Sequence, residues 1–527
     1  MVCTEAPDSL SCYVNDTLET VGRGGALQYR YLILLGLPWA IGSMVIYVTI
    51  FAAKKANMHV ICGSVEVDSC PVLLEGSTNC TLERGTQWEP WPPAVETLQS
   101  EFELFCDRRP LVATANSIYF VGKMLGAVVF GTITDSFGRR LGFVAGLVVM
   151  QLGSFASAFV QSFEQYMGAR FFTGFGQSGL ALVAFVWTAE MLGQDLRPVM
   201  AWSPNVFFSL GQMLVSPLAF WLPQWRWLML SMQLFGMLLF VYWPCLLESP
   251  RWLATQGRAK DAHRVLCSIA ASNGRPDPQA PPLQQSVMID GEASKRHEDT
   301  GENPKSQRGA LLKLLTDPRV RFRFLAMCFT WFTTNFGYYG LGFFSPHLRL
   351  DPYSANALAG AVCIPAYLIS QPLIQSRWCG RKGAAGGGLT VAAACLLAAS
   401  RLNDAGDGTP VALQLVLYYT ATMAVALAFA IIYIWAIELF PTEMRARSMA
   451  FQSLCGRIGS IVAPFVSGLG ESNSSLALAI FAVPCIVAGL LCFCLPETRG
   501  KELPDSLEDL DDDGMPEETE DEDEVSC

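Results

Sequence analysis

The chain alternates long apolar stretches with short polar ones. Tyr31 to Phe51, Leu141 to Val160, Trp227 to Leu247 and Leu476 to Leu495 each run for about twenty residues with almost no charge. At ~1.5 Å rise per residue, that length crosses a ~30 Å hydrocarbon core. The same reading predicts twelve spans, at 31–51, 111–134, 141–161, 166–190, 199–220, 227–247, 322–345, 354–376, 384–400, 411–437, 449–470 and 476–495. The expected fold class is an all-α membrane protein of two six-helix halves, 31–247 and 322–497. The first apolar run lacks a short core followed by a small-residue cleavage site, so it reads as a retained span.

An even number of spans puts both termini on one side. Short connections on that side carry Arg139, Arg140, Arg197, Arg377, Arg381, Lys382, Arg445 and Arg447, against Arg226, Arg349 and Arg401 opposite. The positive-inside rule then makes the termini cytoplasmic. Hydrophobic residues are 51% of the chain and charged ones 16%, too apolar for a soluble protein of this length. The net charge of −11 is a local feature, because fourteen acidic residues follow Lys501 with no Lys or Arg among them. This tail, 498–527, repels itself, buries nothing and is expected to be disordered.

Two long connections interrupt the pattern. The first, 54–109, is exterior and holds Cys62, Cys70, Cys80 and Cys106 with the glycosylation acceptor Asn79. Two disulfides are expected there, and three pairings are open. The second, 248–321, reads as a cytoplasmic linker, helical around Arg258 to Ala271, with a Pro- and Gln-rich middle.

Motifs repeat between the halves. Gly131-x-x-x-Asp135-x-x-Gly138-Arg139-Arg140 follows the second span, and Arg377-x-x-Gly380-Arg381-Lys382 follows the eighth. Glu190 precedes Arg197 by the same seven residues that separate Glu438 from Arg445; Glu248-Ser249-Pro250-Arg251 is matched by Pro496-Glu497-Thr498-Arg499. All three pairs stand roughly 240–250 residues apart, as duplicated halves related by an axis along the membrane normal would produce. The acids and arginines are expected to act as gating parts that pair across the inner mouth between the halves and break as the halves rock. Topology-setting by positive charge alone would explain the arginines but not the acids at matched spacing.

At these residues the chain resembles the major facilitator superfamily and, within it, the organic cation, anion and zwitterion transporters of solute carrier family 22. The resemblance covers nearly all of 30–505. It rests on Ser100-Glu101-Phe102-Glu103-Leu104-Phe105-Cys106, Glu248-Ser249-Pro250-Arg251-Trp252-Leu253, Tyr338-Tyr339-Gly340-Leu341, Phe440-Pro441-Thr442-Glu443-Met444-Arg445 and Leu495-Pro496-Glu497-Thr498-Arg499-Gly500. Ile364-Pro365-Ala366-Tyr367 is similar to the carnitine and zwitterion branch. Two departures matter. Arg377 stands where the family usually places an acid, so the two gates are expected to differ in strength. Cys363 and Arg457 stand where cation-carrying relatives have carboxylates.

A mid-membrane charge costs at least ~2.5–3.5 kcal/mol, so Arg457 is read as functional, its planar fork holding a substrate carboxylate. The plainer alternative is an internal pair or snorkelling. Trp331, Tyr338, Tyr367, Trp187 and Tyr433 offer faces to a quaternary ammonium group at ~0.5–2 kcal/mol each, and Gln177 and Gln212 offer hydrogen bonds. Most intramembrane aromatics merely pack.

The expectation is therefore a facilitative or exchange carrier of small organic zwitterions or anions in the plasma membrane. Its partners would be the solute and the bilayer, with no nucleic acid or obligate protein partner. An organic-cation carrier relying on aromatics is one alternative; a receptor that kept the fold and lost transport is another, from a different class. No enzyme chemistry, cofactor or metal site is expected. The four His residues fall in loops or at a span edge, and no G-x-x-x-x-G-K-[ST] phosphate loop exists.

Overall fold

A computed structural model describes residues 10–54, 58–61, 87–90, 96–104, 108–279, 314–404, 410–501 and 504. Twelve helices of eighteen residues or more are present: α2 (Ala26–Ala52), α4 (Pro110–Phe137), α5 (Arg139–Ser157), α6 (Phe163–Met191), α7 (Arg197–Trp221), α8 (Trp225–Tyr242), α11 (Pro318–Phe344), α12 (Pro352–Gln375), α13 (Gly380–Asp404), α14 (Val411–Glu438), α15 (Thr442–Leu469) and α16 (Ser474–Cys494). Each of the twelve predicted spans overlaps one of them. Short helices α1 (Leu10–Val21), α3 (Leu98–Glu101), α9 (Pro250–Thr255) and α10 (Ala259–Ser272) accompany them among the described residues. In the long connection after α2, strand β1 (Met58–Ile61) pairs antiparallel with β2 (Gln87–Pro90). Cys62, Cys70, Cys80, Cys106 and Asn79 lie outside the described residues, as does nearly all of the acidic tail.

Among the described residues, ten helices are long and apolar enough to cross a membrane. The other two, α7 and α11, hold buried polar side chains: Ser209, Gln212 and Ser216 on α7, and Thr330, Thr333, Thr334 and Asn335 on α11. Helices that face a protein interior can be polar in a way that lipid-facing ones cannot. Outward faces are apolar, with Val128, Leu234 and Val241 each at least 69% exposed. A soluble protein does not leave so many such side chains to water.

Some ends differ from expectation for local reasons. The sixth span, expected to reach 247, ends as α-helix at Tyr242, because Pro244 sits in a 3₁₀ turn spanning Trp243–Cys245. The eleventh begins at Thr442, seven residues earlier than predicted, which moves Arg457 deeper into it. The N-terminal segment contains a helix not foreseen. There α1 packs on α9 and α10, with Tyr13 bonded to His263 at 2.9 Å, while Asn273 donates to Val21 O and Gln28 Oε1, both at 2.9 Å.

Gly122 and Gly126 bring α4 onto α6: a Cβ at either would stand 2.2 Å from the carbonyl oxygen of Phe171 or Phe175. At Gly131 a Cβ would meet only Leu182, at an ordinary 3.9 Å. One end of the bundle carries α1, Pro504 and the turns at Gly138 and Gly380, and is called the motif end. The opposite end carries the long connection after α2, and is called the loop end.

Candidate functional site

Between the halves, α4 packs against α15 and α7 against α12. Gly456 and Gly459 let α15 lie on α11, since a Cβ at these positions would stand 2.6 Å from Asn335 Nδ2 and 2.3 Å from Phe332 O. That packing turns Arg457, fifteen residues into α15, toward the other half. Its Nη1 donates to Lys123 O on α4 at 2.5 Å and to Ser178 Oγ on α6 at 3.3 Å. Nε and Nη2 make no protein hydrogen bond among the described residues, and the side chain is half-buried. The guanidinium therefore keeps a free fork suited to a carboxylate.

Lys123 belongs beside it and was missed from sequence. It lies thirteen residues into α4, also half-buried, with Nζ 5.9 Å from the Phe120 ring centre and 5.8 Å from that of Tyr339. No described carboxylate stands within ion-pair reach of either cation. The signal was available, because Lys123 is the only charge in 111–134, and the same mid-membrane argument applies to it.

Aromatic rings from both halves surround this level. Tyr339 meets Phe120 edge-on at 4.8 Å, and Phe208 contacts Tyr338 and Tyr339 at 6.0 and 6.3 Å. Tyr338 stacks on Phe429 at 5.1 Å and accepts a 3.0 Å hydrogen bond from Tyr367. Trp331 meets Tyr433 at 4.5 Å, and its buried indole N–H has no partner. Tyr338, Tyr367, Trp331 and Tyr433 are thus brought together.

Three expected ligands are placed differently. Trp187 is fully buried within the first half, donates to Leu247 O at 3.1 Å and packs on Tyr31 and Phe143. Gln212 joins the halves through Asn356, at 3.3 Å. Gln177 is buried against Gly42 on α2, one residue before Ser178, and its Oε1 has no partner.

The gating residues assemble differently from the expectation. Arg139 grips Glu190 with Nε at 2.9 Å and Nη2 at 2.6 Å, and reaches Asp135 with Nη1 at 2.8 Å. Glu248 accepts the backbone N–H groups of Arg139 and Arg140 at 3.0 and 3.2 Å. In the second half, Arg381 grips Glu438 at 2.9 and 2.8 Å, while Glu497 accepts the N–H groups of Arg381 and Lys382, both at 2.9 Å. These pairs lie within each half, not across the inner mouth, because each helix after the Gly turn starts beside the end of its own half's neighbour. They put Glu190 on Arg139 and Glu438 on Arg381. Arg445 donates to Phe440 O and Pro504 O, both at 3.2 Å, and Arg251 to Ala189 O at 3.4 Å. Arg499 has its backbone N–H on Glu497, at 3.2 Å, and the side chain of Arg197 is not among those described. The clamps differ in geometry: Arg377 stands at the position of Asp135, and Arg381 Nη1 donates to Ile374 O at 3.2 Å.

Both clamps need their glycines. Gly138 and Gly380 have φ of 97° and 60°, and a Cβ there would stand 2.7 Å from Glu248 Oε2 or 2.4 Å from Glu497 Oε2.

Residues 91–509 match the family model "Sugar (and other) transporter". Human solute carrier family 22 member 13 is 34% identical over 440 residues, covering 83% of this chain and 76% of the relative. Solute carrier family 22 member 15 of Xenopus tropicalis is 31% identical over 94% of this chain and 90% of its own. Organic cation/carnitine transporter 4 of Arabidopsis thaliana is 30% identical over 92% and 88%. Among solved structures, the partially occluded inward-open xylose transporter XylE from E. coli superposes with a TM-score of 0.61, covering 93% of this chain and all of that one, at 16% identity. That likeness shows the fold. The twelve-helix architecture, the matched clamps and these relatives agree: the chain is a multi-pass membrane transporter that belongs to the sugar (and other) transporter family of the major facilitator superfamily and, within it, to solute carrier family 22.

Proposed function

We propose that the protein is a facilitative or exchange carrier of small organic anions or zwitterions, working by alternating access. The observation that carries this is the pairing of Arg457 with Lys123, two cations from opposite halves at one depth, with no described carboxylate beside them. A solute carboxylate would take the free fork of Arg457 in a bidentate grip. The wall of Tyr338, Tyr339, Trp331 and Tyr433 would cover an apolar or quaternary-ammonium portion. Carnitine, named in the Arabidopsis relative, has both features.

Contacts between the halves gather toward the loop end, which supports a state open at the motif end. With the termini cytoplasmic and the chain in the plasma membrane, that state is inward-facing. The halves 31–247 and 322–497 would rock about the site, and 248–321 would link them.

An organic-cation carrier is the second reading, and the aromatic wall favours it. Two uncompensated positive charges at the same level oppose it, since a bound cation would meet repulsion in a low-dielectric setting.

Uptake of a labelled zwitterion, a carboxylate anion and a quaternary cation into cells expressing the chain tests the reading. Saturable zwitterion or anion uptake that collapses in Arg457→Ala and Arg457→Lys is the expected outcome. Cation uptake indifferent to Arg457 would reject the anion site. No uptake by surface-expressed protein would turn the reading toward a receptor.

A further inference from the structure

A third intramembrane cation plays no part in the site above. Arg170 lies seven residues into α6, and only 2% of it is exposed. Its Nη1 donates to Val45 O on α2 at 2.8 Å, and its guanidinium sits 4.6 Å from the ring centre of Tyr119 on α4. Nε and Nη2 are buried and have no partner. No described carboxylate is within ion-pair distance, so the charge is uncompensated by protein. Two more buried donors without partners stand next to it: the hydroxyl of Tyr119, whose ring it covers, and that of Tyr166, one helical turn earlier on the same face of α6. Asn116, one turn before Tyr119, likewise has a buried Oδ1 without a partner among the described residues.

A buried, unpaired guanidinium is strongly destabilising, and unmade hydrogen bonds from two hydroxyls add to the cost. The tyrosine faces and one carbonyl offset part of it. What the cluster lacks is negative charge, and what it offers is donors from two helices.

We propose that Arg170, Tyr119 and Tyr166 form a binding site for a small monovalent inorganic anion of the halide class, inside the first half and separate from the Arg457 site. Gly174 brings α6 so close to α4 that a Cβ would stand 2.0 Å from Tyr119 O, so the ion proposed is one small enough to sit between closely packed helices. The anion would neutralise Arg170 and tie α2, α4 and α6 together, so halide would set the stability of the first half and, with it, the rate at which the carrier turns over.

The test is thermal melting of the purified full-length chain in detergent, titrated with sodium chloride against sodium gluconate at constant ionic strength. Wild type should melt several degrees higher in saturating chloride. Arg170→Gln should lose the chloride response, and Arg457→Ala should keep it. Should Arg170→Gln fail to fold, Tyr119→Phe combined with Tyr166→Phe keeps the charge and removes two donors; a chloride midpoint weakened by roughly tenfold is then expected. The proposal is overturned if wild type melts identically in both salts. It is equally overturned if Arg170→Gln or the double tyrosine variant keeps the wild-type chloride midpoint, or if the response disappears in Arg457→Ala and persists in Arg170→Gln.

Discussion

The two ends of the bundle are built on different principles. At the motif end, ion pairs are largely buried, bidentate and internal to one half: Arg139 with Glu190, and Arg381 with Glu438. At the loop end, contacts join the halves and are mostly aromatic or singly bonded. Phe51 stacks on Tyr353 at 5.2 Å, Asn356 donates to Ser216 Oγ at 2.9 Å, and Arg109 pairs with Glu471 across the divide. The difference teaches where rigidity and motion are divided. Strong pairs hold each half as a unit while the halves separate, and many weak contacts between halves can be exchanged as they close at the other end.

That contrast can be broken in order of size. Arg139→Ala or Arg381→Ala takes the cation from a largely buried carboxylate, Glu190 or Glu438, and should cost about 3 kcal/mol. The loss should appear as low surface expression and a lowered melting temperature. Next, Gly138→Ala and Gly380→Ala force a side chain into a positive-φ position and against a clamp glutamate, at about 1–3 kcal/mol each in the same melting assay. At the loop end, Arg109→Ala should leave folding intact. It should instead shift the conformational balance toward loop-end opening by about 1 kcal/mol, discounted for a half-exposed pair, and be read by spin-label distances between the halves.

A smaller effect comes from pH. Burial, aided by the charge of Arg109, lowers His347 to about 4 from its ordinary 6.5, although Glu471 lies 3.7 Å away. Glu471 is already engaged by Arg109, so burial prevails. A closed loop end keeps His347 neutral, and opening lets it take up a proton. Closure is therefore fully stable above about pH 6.5, weakens as pH falls toward about 4, and loses nothing more below that. Spin-label distances measured across that range check the sign, and His347→Gln should flatten the response. The smallest effect is Asp135→Asn. Its carboxylate is 77% exposed, so it should change the melting temperature by little more than experimental error. A loss comparable to Arg139→Ala would contradict the division between clamp and rim.

The fold was legible because membrane spans are written in plain runs of apolar residues, and the duplication because Gly-Arg and Pro-Glu motifs recur at a fixed offset. The partners of those motifs were not. The sequence reading sent Glu190 across the inner mouth to the other half, whereas the turn at Gly138 delivers Arg139 to it from the neighbouring helix of its own half. Arg457 announced itself as a charge inside a span. Lys123 and Arg170 carried the same signal and were passed over, because neither belonged to a recognised motif. Trp187 and Trp331 both stood as aromatics inside spans, and packing separates a ring among Tyr31 and Phe143 from one beside Tyr433.

The most direct test of the central claim uses one transported carboxylate and its neutral primary amide, otherwise identical, competing for uptake. With a free Arg457 fork beside Lys123, the acid should inhibit roughly tenfold or more better than the amide in wild type. The advantage should vanish in Arg457→Ala and shrink in Lys123→Gln. Equal inhibition by acid and amide in wild type, or an acid preference untouched by Arg457→Ala, would contradict the account.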